Sequence, residues 1–388
     1  MSNKDFFSSK FAYAVLLSLG ISSLVTWNSL LSSADFILAI FPDPNVIFVA
    51  GLIYNVVNVT VAMIITKIYS KLNIVMCINF AYLGFIISLA GIPVIHIIDL
   101  DPELEYTIFK YGIIVIMGLS GSFMLSCTFG FAASLSDSLT GSVMTGQGIV
   151  GLATGALRVI TKILLPDDDI DLSAYIFFLV AAVLTLFAWV LFVKFSKCPE
   201  VKAKLAVQKG ESLLLAEENI ETDVVVKESF VGVWICSLGV TLCFIVTLGL
   251  FPGVIDGFPI PDGLDVTADW YIVWLTMSFM IFDFIGRTFA PMMKLSYGFV
   301  QTVGLLRVLF FPLLLACRDS EAFSSVWIHF ISSSIFALTN GITSTRLMMT
   351  VPTFVEHEKN KITAGTISSL CLNAGLFTGV LVALLFRT

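Results

Sequence analysis

The chain has 388 residues, of which 57% are hydrophobic and 13% are charged, and its mean hydropathy is +0.98. A soluble domain is about 45–50% apolar and about 25% charged, so this composition excludes a soluble protein. It predicts an all-α polytopic membrane protein whose surroundings are the lipid bilayer. The net charge of −7 argues against nucleic acid as a partner, because nucleic-acid binding needs clustered Lys and Arg.

Eleven apolar runs follow one another along the chain, and each approaches the roughly 20 residues that a membrane-spanning helix needs. The first run lacks a clear cleavage site for a signal peptide, so we interpret it as a membrane helix. We expect spans near 11–33, 46–66, 73–98, 107–134, 141–165, 173–195, 229–251, 268–290, 296–316, 324–348 and 363–386.

A polar segment separates six of these spans from the other five. This layout predicts an N-terminal half at 1–195, a cytoplasmic linker loop at 196–228 and a C-terminal half at 229–388. Lys and Arg cluster in loops on one side of the membrane if the N-terminus is cytoplasmic, and the other loops are acidic. An odd number of spans then places the C-terminus outside the cell.

Span one carries Trp27 and Asn28 about midway along its length. A Trp near the midplane suits a cavity wall, since an indole ring stacks on a flat ligand, although packing in the core is an alternative. Leu31, further along the span, is included with these two residues as a predicted substrate contact.

Span five begins with a glycine-rich stretch that contains Gln147. Glycines at three- and four-residue spacing let helices approach closely, which accounts for Gly148 and Gly151. A buried amide needs hydrogen-bond partners, and its donors and acceptors match the edge of a planar heterocycle. Bonding to a neighbouring helix explains Gln147 equally well.

Span eight contains Asp283 and Arg287 within an apolar run. Each charge costs about 2.5–3.5 kcal/mol near the bilayer centre on insertion scales, and such charges usually face the bundle interior. Their i, i+4 spacing puts both side chains on one helical face, where they can pair. The pair either contacts a polar substrate or forms a structural salt bridge.

Other charged side chains occur within the spans. Arg307 lies five residues before Pro312, which permits a kink in span nine, and both Arg307 and Arg346 are expected to face the interior. Arg158 and Lys162 lie toward the outer end of span five, where we expect them to extend to the membrane surface.

Motifs for several functions are missing from the chain. It has no nucleotide-binding loop for ATP-driven transport and no clustered nucleophile, His, Asp or Glu arrangement for a membrane enzyme. Seven scattered cysteines form no CxxC motif, so no metal site, disulfide framework or cofactor is predicted. We therefore expect a protein that handles a small polar molecule and is not an enzyme.

Taken in order, these motifs resemble those of the equilibrative nucleoside transporter family. The matching segments are Thr26-Trp27-Asn28, Met144 to Gly151, Leu250 to Val254 with Pro252, Asp283-Phe-Ile-Gly286-Arg287, Arg307 to Pro312, and Asn340-Gly341 with Thr363 to Gly365. The resemblance covers essentially the whole chain. It implies a six-plus-five bundle of the major facilitator type and passive, alternating-access transport of nucleosides and, in some members, nucleobases.

The resemblance also implies roles for particular residues. Trp27 would wall the site, Gln147 would bind the base, and Asp283 and Arg287 would engage the ribose hydroxyls. The remaining motif positions would serve in helix packing or gating, and they are Gly148, Gly151, Pro252, Gly286, Arg307, Pro312 and Asn340. It further implies a plasma-membrane location and a part in purine salvage, while the oligomeric state stays open.

Three positions depart from the family pattern and bear on substrate choice. Thr26 replaces a Pro, Met280 replaces an Asn near the predicted sugar site, and Arg346 replaces an apolar residue. Three alternatives stand beside a facilitative nucleoside transporter. One is a proton-coupled nucleoside transporter, another is a solute carrier of similar fold for sugars or organic ions, and the third is a membrane receptor or scaffold that does not transport.

Overall fold

The computed structural model describes residues 6–41, 43, 45–98, 100–164, 170–205, 223–261 and 263–386. All regular structure in these ranges is helical, and eleven helices are long and apolar enough to cross a membrane. They are α1 (Lys10–Ser32), α2 (Val46–Ile68), α3 (Ile74–Ile97), α4 (Pro102–Leu135), α5 (Asp137–Leu164), α6 (Ile170–Ser196), α7 (Asp223–Leu250), α8 (Ala268–Phe289), α9 (Tyr297–Asp319), α10 (Val326–Thr350) and α11 (Glu358–Ala383). The prediction of eleven helical spans is confirmed.

Two helices begin earlier than predicted because a side chain caps each of them. At the start of α4, the Asp101 side chain accepts a hydrogen bond from the backbone N–H of Leu104, and Pro102 occupies the first helical position. At the start of α5, the Ser136 hydroxyl accepts from the backbone N–H of Leu139 at 3.2 Å. A single non-helical residue, Ser136, therefore joins α4 to α5.

Helix α7 begins at Asp223, inside the segment predicted as a linker, and part of that segment lies outside the described residues. The division into halves at 1–195 and 229–388 stays a prediction, as does the direction of the termini. For description, α1–α6 are called the first six helices and α7–α11 the last five. The end of the bundle at which α6 ends, near Ser196, is called the linker end.

Helix α9 is interrupted by a 3₁₀ turn at Arg307–Leu309. The cause is Pro312, which has no N–H to donate and whose ring clashes with the carbonyl of the residue four positions earlier, Val308. The interruption occurs at the point where the Arg307 side chain enters the bundle, and that side chain is only 1% exposed.

Helices α1 and α5 cross with their backbones in contact. A Cβ at Gly20 would overlap the Val143 carbonyl, and a Cβ at Gly146 would overlap the Leu17 carbonyl. Both glycines are therefore required by the close approach, as in small-residue packing between membrane helices. This contact brings the polar residues of α1 and α5 within reach of each other.

Helices α8 and α10 make the equivalent contact in the last five helices. A Cβ at Gly286 would lie 2.5 Å from the Leu338 carbonyl oxygen, and a Cβ at Gly341 would overlap the Asp283 carbonyl. Gly286 therefore lets α8 pack directly against the backbone of α10. This contact sets Asp283 beside the polar residues of α10.

The first six and the last five helices meet most closely at the linker end. There the Ser369 hydroxyl donates to the Ser126 hydroxyl at 3.3 Å, and a Cβ at Gly365 would lie 2.5 Å from the Phe129 carbonyl oxygen. Further toward the opposite end, a Cβ at Gly155 would have its nearest neighbours 3.7 Å away, an ordinary contact distance. At Gly365 a side chain would meet the backbone of α4, whereas at Gly155 it would meet only side chains of α8.

The glycine contact between α1 and α5 leads to a test of stability. We expect Gly146→Ala to destabilise the protein by about 1–3 kcal/mol, because the added methyl overlaps rigid backbone and forces the helices apart. Thermal unfolding of the purified protein in detergent would measure the change. The matched control is Gly298→Ala, where a Cβ has nothing within 4 Å, and a Tm no lower in Gly146→Ala than in this control would contradict the expectation.

Candidate functional site

An ion pair lies in the interior of the bundle on α8. The Arg287 Nε donates to Asp283 Oδ2 at 2.7 Å, and the side chains of Arg287 and Asp283 are only 6% and 13% exposed. The sequence placed both on one helical face, and the structure joins them directly. Each oxygen of the carboxylate has a partner, because the Asn340 side-chain nitrogen on α10 donates to Asp283 Oδ1 at 2.7 Å.

From Arg287, hydrogen bonds continue into the first six helices. Arg287 Nη1 donates to Gln147 Oε1 on α5 at 3.4 Å, and Gln147 Nε2 donates to the Ser23 hydroxyl on α1 at 3.2 Å. The Thr145 hydroxyl also donates to the Arg287 backbone carbonyl at 3.3 Å. Gln147 therefore bonds to neighbouring helices, the alternative that its sequence context left open.

From Asn340, hydrogen bonds continue through the last five helices. Its side-chain oxygen accepts from the Thr247 hydroxyl on α7 at 2.7 Å and from Arg307 Nη2 on α9 at 3.5 Å. Arg307 also donates to the Thr247 hydroxyl at 2.7 Å, and to the Phe336 carbonyl and Thr339 hydroxyl of α10 at 2.8 and 2.6 Å.

These bonds form one continuous network, called here the polar chain. Its members are Ser23, Gln147, Arg287, Asp283, Asn340, Thr247 and Arg307. All are buried, and they come from six helices: α1, α5, α8, α10, α7 and α9. Such groups have no partners in lipid, so their hydrogen bonds must be made within the protein.

The three predicted contacts on span one have different surroundings in the structure. The Trp27 ring stacks on Tyr54 of α2, with ring centres 4.7 Å apart, and Asn28 donates to the Leu24 carbonyl of its own helix at 2.9 Å. Leu31 is 41% exposed. Trp27 lies four residues after Ser23, so it is on the same face of α1 as the polar chain, one turn away.

Glycines bring α5 close to α8 and α1 beside the polar chain. A Cβ at Gly148 would lie 2.9 Å from the Arg287 Cδ, so Gly148 leaves room for that side chain. A Cβ at Gly151 would lie 3.8 Å from the Asn28 side-chain oxygen, an ordinary contact distance. Pro252 is exposed and lies between α7 and a short helix, Gly253–Asp256, away from the polar chain.

The expectation for Arg158 was wrong. Arg158 does not extend to the membrane surface, because its side chain is buried and donates to Asp35 at 2.7 Å and to the Ser173 hydroxyl at 3.0 Å. The sequence gives no sign of an acidic partner more than a hundred positions away. The Lys162 side chain lies outside the described part of the chain. Arg346 donates to the Leu295 carbonyl at 3.1 Å.

A small cavity of about 250 Å³ lies apart from the polar chain. At its edge, the Tyr106 hydroxyl donates to Asp43 at 2.7 Å, and this bond, with a second from the Asn45 backbone, lowers the pKa of Asp43 below its usual 3.8. The lining residues are Ile40, Phe41, Asp43, Pro102, Glu105 and Tyr106. None belongs to the polar chain, so we do not assign this cavity to the site.

Sequence reasoning missed Ser23, Thr247 and Tyr54. Ser and Thr are common in membrane helices and usually bond their own backbone, so composition alone does not single them out. The residues that these three contact lie on other helices, so the sequence does not show the contacts. The four-residue spacing of Ser23 and Trp27 was the one available signal, because it puts both on one face of α1. Only the position of α5 shows that Ser23 bonds Gln147 there.

Comparison with known proteins identifies relatives of the chain. A sequence profile described as "Nucleoside transporter" matches residues 111–388. The chain is 26% identical over 392 residues to equilibrative nucleotide transporter 1 of Arabidopsis thaliana, covering 96% of this chain and 85% of that one. It is 25% identical over 317 residues to equilibrative nucleoside transporter 1 of Rattus norvegicus, covering 71% and 67%.

Among solved structures, the chain resembles the major facilitator superfamily proton:xylose symporter XylE, bound to 6-bromo-6-deoxy-D-glucose. The TM-score is 0.72 at 10% identity, with 98% of this chain and 88% of that chain covered. At this identity the likeness shows the fold alone. The predicted bundle of the major facilitator type is confirmed.

The buried ion pair leads to a test of stability. We expect Asp283→Ala to destabilise the protein by about 3–5 kcal/mol, because it leaves the Arg287 guanidinium buried without its carboxylate. The control is Asp319→Ala, which breaks an exposed pair with Arg318 worth about 0–1 kcal/mol. Unfolding in detergent would compare the two variants.

A double variant separates the ion pair from other effects. Asp283→Ala combined with Arg287→Ala is expected to be more stable than the sum of the two single losses predicts, since no unpaired charge remains. Strictly additive losses would show that the two side chains are not coupled.

Proposed function

The chain belongs to the nucleoside transporter family, and on that basis we propose that it carries nucleosides across a membrane by facilitated, alternating-access transport. The observation that carries the proposal is the polar chain, which joins both groups of helices at the centre of a bundle of the major facilitator type. Central sites of this kind lie between the two parts of a transporter that rock against each other.

The chemistry of the polar chain suits a nucleoside. Ribose hydroxyls both donate and accept hydrogen bonds, so a carboxylate such as Asp283 and a guanidinium such as Arg287 suit them as partners. The Gln147 amide offers both a donor and an acceptor to the edge of a base, and Trp27 one turn away supplies a flat apolar wall. Arg287 and Gln147 would exchange their mutual bond for bonds to the substrate.

Close packing at the linker end supports alternating access as the mode of transport. The contacts of Ser126 with Ser369 and of Phe129 with Gly365 join the two groups of helices at that end, and we infer that they close it to the substrate. A substrate would therefore reach the polar chain from the opposite end in this conformation. Opening the linker end requires these contacts to separate.

A nucleotide is the second candidate substrate. Two guanidinium groups and one carboxylate give the polar chain one excess positive charge, which favours an anion in a low-dielectric interior. Several relatives are named equilibrative nucleotide transporters, and others are named for nucleosides. Nucleobase transport, a plasma-membrane location and a part in purine salvage are further proposals from the family resemblance.

Proton coupling is the rival mechanism. Asp283 is an intramembrane carboxylate, but both of its oxygens accept hydrogen bonds, one of them from a guanidinium. Because protein donors already occupy both oxygens, we propose uncoupled transport.

Uptake of radiolabelled adenosine into proteoliposomes would test the proposal. We expect saturable uptake that stops at equal inner and outer concentrations, with or without a pH gradient. Gln147→Ala should raise KM about three- to tenfold, because it removes hydrogen bonds worth about 0.5–1.5 kcal/mol. The matched control is Gln301→Ala on α9, whose amide bonds the Ile235 carbonyl outside the polar chain.

Two further measurements separate the alternatives. Excess adenosine monophosphate should compete less well than uridine or inosine if the substrate is a nucleoside, and better if it is a nucleotide. Accumulation of adenosine above equilibrium that depends on an inward proton gradient would overturn the uncoupled mechanism. Xylose uptake without adenosine uptake would overturn the substrate class.

A further inference from the structure

Arg307 is a buried cation without a carboxylate of its own. Its side chain is 1% exposed, and among the described residues no ion pair includes it. Its guanidinium donates instead to neutral oxygens of Thr247, Thr339, Phe336 and Asn340. A buried charge normally needs an opposite charge nearby, so the position of Arg307 requires an explanation.

The Asn340 amide lies between Arg307 and the carboxylate of Asp283. Its oxygen faces the Arg307 guanidinium and the Thr247 hydroxyl, and its nitrogen donates to Asp283 Oδ1 at 2.7 Å. The reversed amide would set N–H groups against a cation and an oxygen against an anion. Two opposite charges therefore determine which way the amide points.

Bond lengths divide the polar chain into two parts. In the last five helices, the bonds from Asp283 to Asn340, Asn340 to Thr247 and Thr247 to Arg307 are all 2.7 Å, so Thr247 connects Arg307 to Asn340 more closely than their direct bond of 3.5 Å does. Where the chain crosses to the first six helices, the bonds that Gln147 makes are 3.4 and 3.2 Å. Longer hydrogen bonds are weaker, so the crossing is the part of the chain that separates more easily.

We propose that Arg307, acting through Thr247 and Asn340, is a positioning residue that holds the Asp283 carboxylate in place. The inference rests on the proposed function, since it states how the transport site is kept in order. Asp283 stays fixed to the last five helices throughout the transport cycle, and Arg287 and Gln147 are the groups that change partners. Arg307 itself touches neither the substrate nor Arg287.

Variants of Arg307 test the proposal through the kinetics of adenosine uptake. We expect Arg307→Gln to raise KM about tenfold with a smaller change in Vmax, because a free Asp283 no longer presents a fixed acceptor. Arg307→Lys keeps the charge and should recover part of the loss. The control is Arg318→Gln on the same helix, where the arginine pairs with exposed Asp319 and KM should be unchanged.

A charge exchange provides a second test that needs no substrate. Asn340→Asp alone sets two carboxylates side by side and should lower the Tm in detergent. Adding Asp283→Asn restores one carboxylate and one amide in reversed order, with every donor still matched to an acceptor. The double variant should regain part of the Tm, since Arg287 then bonds an amide oxygen in place of a carboxylate oxygen. KM should stay raised because the carboxylate has moved from α8 to α10.

The results separate the two proposals. If the wild-type protein moves no nucleoside or nucleotide, the proposed function fails, and the Tm values of the exchange still test the positioning role. A double variant no more stable than Asn340→Asp would overturn that role. So would a folded Arg307→Gln protein whose Vmax falls while its KM equals that of the wild type.

Discussion

A carboxylate and two guanidinium groups inside an apolar bundle need partners, because lipid offers them none. The fold supplies those partners from six helices, and the resulting polar chain runs from Ser23 to Arg307 through the centre of the molecule. The close helix crossings at Gly146 and Gly286 make this network possible, since they bring the polar side chains within bonding distance. Packing and electrostatics thus serve the same site.

The hydrogen bonds of the polar chain differ in length, and this difference suits transport. Short bonds hold Asp283 and Asn340 to the last five helices, while the longer bonds of Gln147 cross to the first six. A transporter must release these groups from one another to admit a substrate, and weak bonds at the crossing keep that cost small. The contact of Ser126 with Ser369 joins the same two groups of helices at the linker end.

Most of the fold could be predicted because the bilayer imposes a length and a polarity on every span. Helix ends were predicted less well, since α4 and α5 begin where Asp101 and Ser136 cap them. The pairing of Asp283 with Arg287 was predictable because it depends on the 3.6-residue helical repeat alone. Arg158 was misread because its partner, Asp35, comes from a distant part of the chain.

The sequence by itself determined the eleven helices, the membrane environment, the local ion pair on α8 and the family motifs, because each depends on residues close together in the chain. Only the tertiary structure decided that Gln147 reaches Ser23 and Arg287, that Trp27 stacks on Tyr54, and that Asn340 bridges Asp283 and Arg307. These contacts join helices far apart in sequence. A helical repeat shows which face of a helix is polar, but the packing of the bundle decides what that face meets.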